Sequence, residues 1–120
     1  MSEQTILIAD DSLAQRKVLS HVLQQEGINV VEAEDGNVAI EKYKAYAPCL
    51  TILDLVMPNC GGKEALRKII ELDADANVII ASSLGGESDV EDCLRIGAKS
   101  YVQKPYDFAN LLEQIRQQCD

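Results

Sequence analysis

Basic residues are scarce in this chain. Lys and Arg total 11 against 20 Asp and Glu, a formal net charge of −9. That balance argues against sequence-independent nucleic-acid binding, which needs cations to displace counterions. It argues equally against docking on an anionic membrane surface. Histidine is rarer still, with His21 alone, and the four cysteines (Cys49, Cys60, Cys93 and Cys119) form no CxxC pair. A zinc site of standard ligand spacing is therefore not expected. No apolar run approaches the length of a membrane span. Met1-Ser2-Glu3-Gln4 has no basic n-region and leads into no long apolar stretch, so no secretory signal is visible. Without one, a disulfide framework is not expected, and the thiols read as reduced and the chain as cytoplasmic. Low-complexity segments and Pro- or Ser-rich linkers are also absent.

What remains is a chain of 120 residues, 47% of them hydrophobic, which is one domain (1–120) with enough apolar surface for a core. Short apolar runs recur at a near-regular interval: 5–9, 28–33, 50–53, 78–81 and 101–102. Several are apolar at consecutive positions, as strands covered on both faces require. Helical periods fill the gaps. Residues 12–26 place Leu19 with Leu23 and Val18 with Val22, with Asp11 or Ser12 as cap and Gly27 just past the end. Residues 37–46 stop before Pro48. Further helices are expected over 63–72, 87–96 and 107–118. The order is a β–α unit five times over, with crossovers long enough for parallel strands and helices on both faces.

An open parallel sheet binds ligands beyond the carboxyl ends of its strands. Asp10 and Asp11 follow the first strand, Asp54 the third, Ser82 and Ser83 the fourth, and Lys104-Pro105 the fifth. If the first and third strands are neighbours, three carboxylates converge. Like charges that close stay ionised together only around a cation. Oxygen donors without His or Cys suit a hard divalent ion, with Mg²⁺ the default. Taken singly, Asp11 is as well explained as a helix cap, Ser82 as a turn cap and Lys104 as a solvated lysine. Taken together they form a phosphoryl-transfer set. A carboxylate attacks phosphorus, a metal screens the incoming anion, and a lysine and a hydroxyl take the remaining oxygens.

In order and spacing, Ile8-Ala-Asp-Asp-Ser12, Leu53-Asp-Leu-Val-Met-Pro58 with Gly61-Gly62, Ala81-Ser-Ser83, Gly97-Ala98 and Lys104-Pro105 resemble the receiver domains of two-component response regulators. The resemblance covers essentially the whole chain. It implies a flavodoxin-like (βα)5 sheet of order 2-1-3-4-5. It implies Asp54 as phosphoacceptor, and Asp10, Asp11, Asp54 and the Val56 backbone carbonyl as Mg²⁺ ligands. Ser82 is implied as the switch hydroxyl, Lys104 as its cationic partner and Tyr101 as an aromatic switch that otherwise reads as a half-buried strand residue. The Lys104-Pro105 bond is expected to be cis. The implied partners are a histidine kinase or histidine phosphotransfer protein as donor and a protein target on the face of the fourth helix, fifth strand and fifth helix, where Arg95, Lys99, Tyr106 and Arg116 lie. Such a chain is not an enzyme acting on a separate substrate. It works alone, as a chemotaxis-like regulator, or as part of a larger protein.

Cys49 stands where the family often has an acidic residue, and Cys60 lies in the loop after Asp54. Apolar Val56 and Leu84 beside the pocket leave few groups to position a hydrolytic water, so a long-lived acyl phosphate is expected. Two other classes compete: an aspartate-nucleophile Mg²⁺-dependent phosphohydrolase and a flavodoxin-like cofactor binder. The first needs a DxD after the first strand, and position 12 is Ser. The second needs an anion-receiving loop where Asp10-Asp11 would repel a phosphate, and neither GxGxxG nor GxxxxGK[ST] occurs. A receiver-like interaction module without phosphorylation is the remaining alternative, and the complete set of pocket residues argues against it.

Overall fold

The computed structural model describes residues 4–83 and 87–119. Ten elements alternate along the chain: β1 (Thr5–Ala9), α1 (Leu13–Gln25), β2 (Asn29–Ala33), α2 (Gly36–Tyr46), β3 (Leu50–Asp54), α3 (Gly62–Leu72), β4 (Val78–Ser82), α4 (Glu87–Ile96), β5 (Ser100–Gln103) and α5 (Phe108–Cys119). The strands form one parallel sheet of order β2-β1-β3-β4-β5, the order the family resemblance implies.

Consecutive apolar residues in a strand point to opposite faces. Ile6, Ile8, Leu50, Ile52 and Ile79 pack on one face with Leu19 and Leu23 of α1 and Leu111 and Ile115 of α5. Leu7, Ala9, Leu53, Val78 and Ile80 pack on the other with Ala39, Ile40 and Tyr43 of α2, Leu66 and Ile69 of α3 and Cys93 of α4. Every residue of β3 and β4 is buried, which is why those runs show no polar alternation.

Local chemistry sets the element ends. The Ser12 hydroxyl accepts from the Gln15 backbone N–H at 3.3 Å and caps α1. Gly27 follows that helix at φ 79°, a left-handed conformation open to glycine without steric cost. Asp35 caps α2 by accepting from the Val38 N–H at 2.9 Å. β5 is the shortest strand and lies at the sheet edge, paired only with β4 from Ile79↔Ser100 to Ser82↔Gln103.

One expectation is corrected. Cys49 and Cys119 are not separate thiols but are joined as a disulfide, with Cα atoms 5.7 Å apart. The fold brings the start of β3 against the last turn of α5, a proximity that a separation of 70 residues conceals. Cys60 and Cys93 are free and buried.

Candidate functional site

The register of the central strands builds the site. β1 pairs with β3 from Ile6↔Leu50 to Ala9↔Leu53, so Asp10 and Asp54 each follow the last paired residue of adjacent strands. β3 pairs with β4 so that Asp54 lies opposite Ala81, one residue before Ser82. Carboxylate oxygens of Asp10, Asp11 and Asp54 lie within 4.8 Å of one another. Asp10 and Asp54 are buried and Asp11 is exposed. All three border an open cleft of about 450 Å³, which Ser82, Ser83 and Lys104 also line.

Lys104 ties the cluster together. Its Nζ donates to Asp10 Oδ2 at 2.8 Å, to Asp54 Oδ2 at 2.9 Å and to Gln15 Oε1 at 2.7 Å. Burial alone would lower the Lys104 pKa, but the hydrogen bonds it donates to the two carboxylates, with their charge, outweigh that and hold it above its ordinary value. Burial pushes the Asp54 carboxyl up, the Lys104 ammonium opposes that shift, and the Asp10 charge adds to it. The Asp54 carboxylate also accepts from the Val56 backbone N–H at 3.3 Å. The neighbouring Lys104-Pro105 peptide is cis.

Ser82 is buried and its hydroxyl donates to the Ser83 carbonyl at 2.8 Å. Tyr101 is 52% exposed, so its ring lies outside the core. The Val56 side chain is 75% exposed at the cleft rim. Leu84, the other expected neighbour of the pocket, lies outside the described residues. Arg95, Lys99 and Arg116 are exposed, whereas Tyr106 is half-buried and packs on Phe108 with ring centroids 5.9 Å apart.

Several residues that position the site were not singled out from sequence. Gln15, in the first turn of α1, is the third acceptor for Lys104. Arg16 donates from Nη1 to the Asp10 carbonyl at 2.7 Å and from Nε to Glu32 at 2.9 Å. Asp89 of α4 lines the cleft and pairs with Lys63 of α3 at 3.2 Å. The loop after Asp54 is fastened from the side. Asn59, at φ 65°, donates to Asp35 Oδ2 at 3.1 Å, and the Gly36 N–H donates to the Cys60 carbonyl at 3.0 Å. A Cβ on Gly62 would fall on the Asp54 carbonyl oxygen, so only glycine lets α3 start this close to the site. Of these, only the Gly61-Gly62 pair carried a sequence signal.

The donor set fits a hard divalent cation. It offers carboxylate oxygens from two adjacent strand ends, neither sulfur nor imidazole, and access from the cleft. It does not fit an unaided anion, since three acids line the place where one would sit.

A parallel sheet of this order with an acidic cluster at its carboxyl edge and a lysine across it defines a receiver. The family model for the response regulator receiver domain matches residues 6–116, and the chain belongs to that family. It is 40% identical to the chemotaxis protein CheY of Bacillus subtilis, over 92% of each chain. It is 37% identical to CheY of Halobacterium salinarum, over 96% of this chain and 95% of that one. Among solved structures it is similar to a chain of the CheX-CheY-BeF3-Mg complex from Borrelia burgdorferi, with a TM-score of 0.88 and 38% identity over 95% of this chain and 87% of that chain. A CheY-like receiver domain protein from Methanospirillum hungatei superposes with a TM-score of 0.93 at 28% identity, over 99% of this chain and 95% of that one.

Proposed function

We propose that the chain is a phosphorylation-activated switch that takes a phosphoryl group on Asp54. The observation that carries this reading is the Lys104 ammonium held between the Asp10 and Asp54 carboxylates inside a three-acid cluster. A structural salt bridge needs one acid, whereas this arrangement collects three at one edge and leaves the third, Asp11, open to solvent.

The Asp54 carboxylate is the nucleophile. One of its oxygens forms a bond to phosphorus as the phosphorus–nitrogen bond of a donor phosphohistidine breaks, and the imidazole leaves with that electron pair. No general base is required, because the attacking oxygen carries no proton. Asp10, Asp11, Asp54 and the Val56 carbonyl would hold Mg²⁺, which supplies positive charge against the phosphoryl oxygens. Lys104 then exchanges its Asp54 contact for a phosphoryl oxygen, and the Ser82 hydroxyl turns from the Ser83 carbonyl towards the same group. The modification adds about −1.5 to −2 charge, by analogy with other phosphorylated side chains. Movement of Ser82 opens space for the Tyr101 ring, which reshapes the face of α4, β5 and α5. Phosphorylation stabilises an arrangement the free protein already samples.

On this reading the protein catalyses its own phosphorylation and a slow autodephosphorylation, and is not an enzyme acting on a separate substrate. Its donor is a histidine kinase or histidine phosphotransfer protein, its output a protein target on the α4-β5-α5 face, and its place the cytoplasm. No helix among the described residues is long and apolar enough to cross a membrane. The complex of the Borrelia relative, described as holding CheX, BeF3 and Mg, supports both the partner class and the metal.

Intact mass spectrometry after incubation with acetyl phosphate is the test. Wild type should gain one phosphoryl group only with Mg²⁺ present, and Asp54→Asn should gain none. An unmodified, folded wild type after exposure to both acetyl phosphate and a phosphorylated histidine kinase would overturn the reading.

A further inference from the structure

The feature that the phosphoryl-transfer reading leaves unused lies at the opposite pole of the sheet. β3 begins beside Cys49 and ends at Asp54, so the cysteine joint and the phosphoacceptor cap the two ends of one buried strand. We propose that Cys49 and Cys119 form a reversible thiol–disulfide modification site that fastens the last turn of α5 to the start of β3, with low-molecular-weight disulfides as its oxidant class.

Geometry selects this pair. The Cα separation of 5.7 Å lies within the span a disulfide bridges without moving the backbone. Both residues are half-buried, so a small disulfide has access to them, whereas Cys60 and Cys93 are buried. Burial also pushes the Cys60 and Cys93 thiols up, which disfavours the reactive thiolate at both.

Non-covalent contacts hold the joint together independently of the bond. The Asn77 amide donates to the carbonyls of Cys49 at 3.2 Å and Gln118 at 3.4 Å. The Gln4 amide donates to the Cys119 carbonyl at 3.1 Å. Both cysteines also pack on the apolar cluster beneath α1 and α5. Opening the bond therefore leaves two thiols side by side, and closing it needs no refolding. A disulfide of this kind in a reducing compartment forms under oxidising load and opens afterwards.

The chemistry is two exchanges. The thiolate of one cysteine attacks a small disulfide RSSR, whose sulfur–sulfur bond breaks and releases RSH after proton uptake. The second cysteine's thiolate attacks the resulting mixed disulfide, forms the Cys49–Cys119 bond and releases a second RSH. The two cysteines are oxidised, RSSR is reduced to two thiols, and the two cysteine protons end on them.

The test is a thiol count on the whole chain, held in oxidised or in reduced glutathione and then alkylated in denaturant. In the oxidised sample two cysteines, Cys60 and Cys93, should take the reagent, and peptide mapping should find Cys49 linked to Cys119. In the reduced sample all four should be alkylated. Closing a loop of 70 residues should raise the Tm of oxidised over reduced wild type on the order of 10 °C. That difference should vanish in Cys119→Ser and in Cys49→Ala. Alkylation of all four cysteines after oxidation overturns the proposal, as does a cross-link that includes Cys60 or Cys93, or glutathione that stays bound without the second exchange. Because the readout is a thiol count, it is independent of whether Asp54 accepts phosphate.

Discussion

The two ends of the sheet are built from opposite chemistry. At the carboxyl end, three carboxylates crowd within 4.8 Å and one lysine answers two of them. At the amino end lies the joint between β3 and α5. Two cysteines, two amides and apolar packing close it. Burying unbalanced charge is costly, and sites that do so persist because the surrounding structure holds them. Here the rigid part is β3 itself, fully buried along its length and hydrogen-bonded on both sides. One strand thus carries a pole optimised for reaction and a pole optimised for cohesion. Substitutions at the first should alter function more than stability, and substitutions at the second the reverse.

The largest break in that comparison is Lys104→Met. The side chain stays unbranched, one atom shorter, but loses all three donated hydrogen bonds, to Asp10, Asp54 and Gln15. Charge developing on the phosphoryl oxygens then has no ammonium to meet it. Phosphoryl uptake from acetyl phosphate should slow by about 10- to 100-fold, the scale of one lost charge-assisted donor. A time course by intact mass measures it, and uptake at the wild-type rate would remove Lys104 from the reaction.

Asp35→Ala should act more mildly and on both properties. Asp35 caps α2 and also holds Asn59 in the loop that carries the Val56 carbonyl. Loss of the cap should destabilise the fold by about 1–2 kcal/mol, and uptake should slow by less than in Lys104→Met. The pH dependence has a definite sign. The backbone N–H of Val38, then the Asn59 amide, hold the Asp35 carboxyl below its ordinary value of 3.8. A depressed acid contributes stability that is fully present above the unfolded value and is lost as pH falls through the folded one. The stability gap between wild type and variant should therefore be widest near neutrality and close below pH 3.8. Urea unfolding at several pH values reads this, and a gap that widens in acid would contradict it.

How much of this was visible in the sequence depended on the range of each interaction. The five strands were legible because each is a local run of branched apolar residues. The boundaries moved by only a residue or two, as at β5, where Ser100 and Gln103 extend the Tyr101-Val102 run through pairing with β4. Asp10, Asp11, Asp54 and Lys104 were legible because the topology of parallel sheets sends strand ends to one rim. Gln15, Arg16, Asp35 and Asn59 were not. Each is a polar residue on a helix turn or loop that looks solvated until a partner from another element arrives, as Glu32 does for Arg16. The Cys49–Cys119 bond was missed for a different reason: disulfides were set aside on compartment, from the lack of a visible secretory signal, and not on where the fold brings the two thiols.

The smallest expected effect sharpens the contrast best. Asn77 precedes β4, and its backbone carbonyl accepts from the Thr51 N–H at 2.9 Å while its side chain bridges Cys49 and Gln118. Asn77→Ala leaves the backbone bond and deletes only the amide bridge. Its two side-chain bonds are 3.2 and 3.4 Å long, and the second is exposed, so the loss should be about 0.5–1 kcal/mol. Phosphoryl uptake should not change, because β3 spans the distance to Asp54 as a buried, doubly paired strand and transmits no local loosening. Denaturant unfolding and the acetyl phosphate time course on the same variant decide the matter. A slower time course with unchanged stability would mean that the two poles are coupled and that β3 does not insulate them.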